Sequence, residues 1–233
     1  MKTLLTLKPL LLSLSLLGIF AAGQQAARAD EVMVAGYTNG CFNCNPPPVP
    51  NSPAYQTATL LGLSFGNSQF SGTTAGGFLA FGGNPQPVPG PQNVDNLGSF
   101  TLASSLATYT GNTFTLRVTF SAPPGIVGGG SPLFTATLVG TVISDTQGGV
   151  FIDFNNTPQT FTFSFINGAG QRVNGSFNFT VNDLSINPGQ TNAISGQITS
   201  AQQSSTPEPT TMLLLGTGLV GVAGRLRRRR AQA

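Results

Sequence analysis

The sequence predicts an all-β domain, an antiparallel β-sandwich or jelly-roll-like fold, flanked by an N-terminal signal helix and a short C-terminal transmembrane helix. Three observations carry this expectation. Between residues 56 and 200, short runs rich in Thr, Val, Ile and Phe alternate apolar with polar positions, the period of a strand with one buried face. Gly, Pro and Asn separate the runs, as turns demand. No window between Asp30 and Ser205 repeats its apolar positions at a helical period.

The first element is residues 1–29. Lys2 and Lys8 form a positive start, Leu10 to Ala22 an apolar run, and Ala27-Arg28-Ala29 an A-x-A cleavage site. This is a secretory signal, and it makes the export machinery and signal peptidase the first partners of the chain. Cleavage is expected after Ala29.

Residues 30–55 read as an irregular leader, because five prolines between positions 46 and 53 oppose helix and central strand alike. The leader holds Cys41-Phe42-Asn43-Cys44, the only two cysteines of the chain. With no histidine anywhere, no ligand set remains for a structural zinc site. A thioredoxin-like role needs a βαβ context that is missing. After export, Cys41 and Cys44 are expected to pair as a local disulfide lying outside the strand pattern.

The domain proper is expected over residues 56–200. Phe114, Leu116, Val118 and Phe120 fall on one face of their run, with Thr113, Thr115, Arg117 and Thr119 on the other. Phe161, Phe163 and Phe165 alternate with Thr160, Thr162 and Ser164; Phe177, Phe179 and Val181 alternate with Ser176, Asn178 and Thr180. Asn167-Gly168-Ala169-Gly170 between the last two runs signals a hairpin. Registering Phe161–Phe165 against Phe177–Val181 would bring aromatic and β-branched residues into cross-strand contact. Two sheets burying these faces against each other would make a sandwich. The outward rows carry almost no charge and leave the edges poorly guarded.

Residues 201–206 read as a flexible linker and residues 207–233 as a separate sorting segment. Thr210 to Gly224 is uncharged and is followed by Arg225, Arg227, Arg228, Arg229 and Arg230. As a helix, fifteen residues span about 22 Å, short of a hydrocarbon core of roughly 30 Å. The arginines stop the segment on the cytoplasmic side. That places the β domain across the membrane, where the signal would also send it. The formal net charge of +3 therefore misleads: between Asp30 and Pro209, two arginines stand against seven carboxylates and leave −5. A domain of this charge excludes a nucleic-acid partner.

Pro207-Glu208-Pro209, the apolar run Met212–Gly221 and the arginine cluster stand in that order at the C-terminus. This arrangement resembles the PEP-CTERM sorting signal of Gram-negative bacteria. The resemblance implies an exosortase, a transpeptidase-like envelope enzyme, that recognises Pro207-Glu208-Pro209 and cuts the tail after export. It also implies a transient inner-membrane anchor, a final location at the cell surface or outside the cell, and association with exopolysaccharide and biofilm matrix. LGSFTL and TFTLRVTF in the body are similar to the choice-of-anchor β domains, which bring no activity with them.

The chemistry of the domain is sparse. Without histidine, Ser-His-Asp and Cys-His catalysis are impossible. Asp95, Asp145, Asp153 and Asp183 are the only acids of the folded part, and a glycosidase would need two of them paired, as Asp145 and Asp153 would be only if they met across their hairpin. NVDN, IDFNN and VNDLS offer carboxylate and amide oxygens without the spacing of a calcium loop. No enzyme, metal or cofactor is expected. Two function classes remain: a structural or adhesive surface protein, and a carbohydrate-binding module without catalysis. The module would draw on Tyr37, Tyr55 and Tyr109, since tryptophan is absent.

Overall fold

In the run Thr113–Ala122, Phe114, Leu116, Val118 and Phe120 are buried while the alternate positions stay half exposed. The computed structural model sets glycines beside several of the large side chains. It describes residues 28–50, 52, 55–127 and 130–206, together with Gly216, Gly218 and Leu219. The expected signal helix lies outside the described residues, and of the expected apolar tail helix only Gly216, Gly218 and Leu219 are described, each as helical. The chain divides into two units: residues 29–203, which carry the fold, and residues 1–28 with 204–233.

The described strands are β1 (Arg28–Ala29), β2 (Met33–Phe42), β3 (Thr57–Leu60), β4 (Leu63–Gly66), β5 (Ser68–Thr73) and β6 (Leu79–Phe81). Then come β7 (Asn93–Val94), β8 (Ser99–Leu102), β9 (Ala107–Thr108), β10 (Thr113–Ala122), β11 (Leu133–Val142) and β12 (Gly148–Phe154). The last are β13 (Gln159–Ile166), β14 (Arg172–Val181), β15 (Leu184–Ile186), β16 (Thr191–Ala193) and β17 (Gly196–Thr206). They form three curled sheets. An eight-stranded sheet runs β15-β12-β11-β10-β2-β5-β7 with β9 beside β11. A five-stranded sheet runs β1-β17-β14-β13 with β6 beside β17, and a four-stranded sheet runs β16-β8-β4-β3.

One core serves all three, and β10 reads out its two ends. Phe114 contacts the rings of Phe65 and Phe100 from the four-stranded sheet, with centroids 5.0 and 4.8 Å away. Phe120 contacts Phe161, Phe177 and Phe179 of the five-stranded sheet at 5.2–5.3 Å. Such tilted and edge-on pairs each add about 0.5–1.5 kcal/mol beyond the area they bury. The eight-stranded sheet is therefore faced by two smaller sheets, one over each end of β10.

The leader differs from its sequence expectation. Residues 33–42 form β2, a central strand between β10 and β5. Its inward positions include Gly36 and Gly40. A Cβ on Gly36 would lie 2.5 Å from Phe70 Cζ, and one on Gly40 2.4 Å from Phe114 Cζ. The rings of neighbouring strands occupy that space, so the strand is buried without itself being strongly apolar. At the other boundary, residues 201–206 complete β17 instead of forming a linker; Ala201 is buried and its N–H donates to the Gly77 carbonyl at 3.0 Å.

The expected hairpin forms, with a register of its own. Phe161 faces Phe177, but Phe163 faces Gly175 and Phe165 faces Val173. Gly175 leaves room for the Phe163 ring, whose Cζ would lie 2.2 Å from a Cβ there. The outer edge of β13 is guarded after all. Ser164 N–H donates to Gly125 O at 3.1 Å and Val127 N–H to Thr162 O at 2.8 Å, so a strap of loop covers the edge.

Candidate functional site

The cysteine turn is tied to the fold. Cys41 pairs with Cys44, with their Cα atoms 5.9 Å apart. Cys41 is buried at the end of β2, opposite Thr115. Asn43 between them donates its amide to Asn112 Oδ1 at 2.8 Å and accepts the Thr113 N–H at 2.8 Å. The disulfide thus sits against the turn that precedes β10 and not outside the strand pattern. The same turn holds Tyr109, whose buried hydroxyl donates to Leu61 O at 2.6 Å. Burial pushes its pKa above the ordinary tyrosine range.

Asp145 and Asp153, the pair that a hairpin could have joined, stand apart. Asp145 lies in the turn between β11 and β12, and Asp153 lies opposite Thr137. The five strand steps from Gly148 to Asp153 put them more than about 15 Å apart. Asp183 accepts the Phe154 N–H at 2.8 Å and the Asn156 amide at 2.9 Å, which joins two of the three oxygen-rich stretches. The third, NVDN, serves the interior. Asn93, Asn96 and Ser99 are buried; Asn93 accepts the Gln86 N–H at 2.7 Å and donates to Ser99 Oγ at 3.0 Å. Among the described residues, no group of three or more Cys, Asp or Glu side chains could hold a metal ion.

Asp95, in the middle of NVDN, behaves differently from its neighbours. Its backbone is in the left-handed region, φ 58°. Three bonds hold it there: its N–H donates to Gln69 O at 3.0 Å, and its carbonyl accepts Gly82 and Gly83 N–H at 3.0 and 3.1 Å. The side chain is exposed at the rim of an open groove of about 430 Å³. Ala35, Tyr37, Gln69, Phe70, Ser71, Val94 and Ser121 complete most of the lining. A bulge between Phe120 and Ala122 places Ser121 there. Sequence reasoning missed this groove, since no run of residues announces it; it comes from four strands.

Of the residues expected to direct processing, Pro207, Glu208, Pro209, Ala27 and Arg225, Arg227, Arg228, Arg229 and Arg230 lie outside the described residues. Ala29 ends β1. Among the described residues, no helix is long and apolar enough to cross a membrane. For these positions the comparison with known families is informative. Residues 205–229 match the family described as the PEP-CTERM protein-sorting motif. The chain therefore carries this sorting motif, which indicates an exported protein with a membrane-anchoring tail and exosortase-type processing. No curated protein and no solved structure matches the chain.

Proposed function

We propose that the chain is a surface or matrix protein, released from a transient inner-membrane anchor by an exosortase-type enzyme at Pro207-Glu208-Pro209. Its β domain, read as a sandwich with a split second layer, serves a structural or adhesive role within exopolysaccharide, without catalysis. The observation that carries this reading is the sorting motif over residues 205–229. The N-terminal signal agrees with it, because both segments send the domain to the same side of the membrane. The absence of histidine from the sequence supports a non-catalytic role.

Replacing Pro207-Glu208-Pro209 by alanines tests it. An antibody to the β domain should then detect a longer species in the inner-membrane fraction, held by the run from Thr210 to Gly224. A variant processed and released like the parent would overturn the reading. A second reading, a carbohydrate-binding module, is favoured by the groove beside Asp95.

A further inference from the structure

On the outward side of the eight-stranded sheet, Thr119, Tyr37, Gln69 and Val94 lie side by side on β10, β2, β5 and β7. At about 4.8 Å per strand the row spans roughly 14 Å. The groove follows it, with Ala35, Ser71 and Ser121 along its second wall. The row combines two kinds of surface. Tyr37 and Val94, the latter 59% exposed, offer an apolar floor. Gln69, Ser71, Ser121 and Asp95 are exposed, and among the described residues their side chains, like the Tyr37 hydroxyl, have no hydrogen-bond partner.

We propose that this groove binds a chain of neutral polysaccharide, laid across the strands along the row. The proposal deepens the matrix reading above by assigning it a site. A pyranose presents an apolar C–H face and a ring of hydroxyls. Tyr37 suits the first, a flat apolar body with a polar tip. The Gln69 amide, the two serine hydroxyls and the Asp95 carboxylate suit the second, and a carboxylate accepts the stronger hydrogen bonds. The locked backbone at Asp95 fixes the direction in which that side chain leaves the loop, which lowers the cost of ordering it. The lone negative charge also decides against an acidic polysaccharide. The lining contains no cation to balance it; Arg117 lies on β10, three strands away from β7.

The test is native affinity electrophoresis of the full chain in detergent. The gels contain hydroxyethylcellulose, galactomannan or dextran, with polygalacturonate as the acidic counterpart. At least one neutral polymer should retard the parent. Tyr37→Ala should weaken that retardation tenfold or more. Asp95→Asn, which tolerates the left-handed backbone, and Gln69→Ala should each weaken it threefold or more. Thr137→Ala, elsewhere on the same face, should leave it unchanged. Thermal melts identify any variant that fails to fold. Because Gln69 and Asp95 are exposed, their variants decide the matter even if Tyr37→Ala is unstable. The proposal is overturned if no neutral polymer retards the parent, if Gln69→Ala and Asp95→Asn bind like the parent, or if only polygalacturonate binds. Should binding fail while the tail is still cut at Pro207-Glu208-Pro209, the groove assignment falls and the sorting reading stands.

Discussion

The loop of residues 82–92 and the leader segment of residues 43–50 each contain four prolines and no regular structure. They are held by different means. The loop is bonded to buried groups: Gln86 N–H to Asn93 Oδ1 at 2.7 Å, Ser99 Oγ to Gln86 O at 2.5 Å, and Asn96 Nδ2 to the Gly83 and Asn84 carbonyls at 3.4 Å. The leader is held by separate groups that form no such network. Asn39, itself buried, donates to the carbonyl of the exposed Val49 at 3.0 Å, and the half-exposed Arg117 donates to the carbonyl of the buried Pro48. Where a bond breaks beside water, water replaces it; where it breaks in the interior, an unpaired group remains at a cost of about 1–3 kcal/mol. Similar composition therefore conceals unequal attachment.

The comparison can be broken most directly at Asn93. Asn93→Ala leaves the Gln86 N–H and the Gly66, Asn67 and Ser99 acceptors without this partner, and should cost about 3 kcal/mol in chemical denaturation. A loss under about 1 kcal/mol would show that water reaches the network. Replacing Cys41 and Cys44 together by serine should cost less, about 2 kcal/mol, because the loop they close is short. Since Asn43 still engages Asn112 and Thr113, the variant should fold; an unfolded product would make the disulfide the main attachment of the leader.

Alkaline pH sharpens the contrast without a mutation. The backbone carbonyl of Tyr109 accepts the Asn112 amide, and Asn112 in turn holds Asn43. Burial raises the Tyr109 pKa in the folded state, so its contribution is complete below the unfolded value near 10 and falls as pH rises through the folded value. Stability should decline above about pH 10, by up to roughly 1.4 kcal/mol per unit. Tyr109→Phe should flatten that decline, and an unchanged slope would remove Tyr109 as its cause. The smallest effect is expected from Arg117→Ala, about 1 kcal/mol, with faster amide exchange confined to the segment around Pro48 and the Ser131 loop. Global destabilisation as large as that of Asn93→Ala would mean that the leader belongs to the core after all.

Much of this was legible in the sequence, for local reasons. The alternation in Thr113–Ala122 and Gln159–Ile166 names the buried faces, because a strand repeats every two residues whatever surrounds it. Asn167 to Gly170 names a hairpin, because turn geometry is a property of a few residues. The sorting tail is equally local: its three parts are read in order along the chain. Only the tertiary structure decided that Met33–Phe42 is a central strand. Its inward glycines, Gly36 and Gly40, carry no apolar signal, and their fitness depends on Phe70 and Phe114, which arrive from other strands. It likewise decided that Phe163 faces Gly175, that a loop guards β13, and that Asn93 is an interior residue. The groove of Tyr37, Gln69 and Asp95 belongs to this second class. Sequence determines what each strand can bury, but sites and registers depend on which surfaces meet, and those meetings join residues distant along the chain.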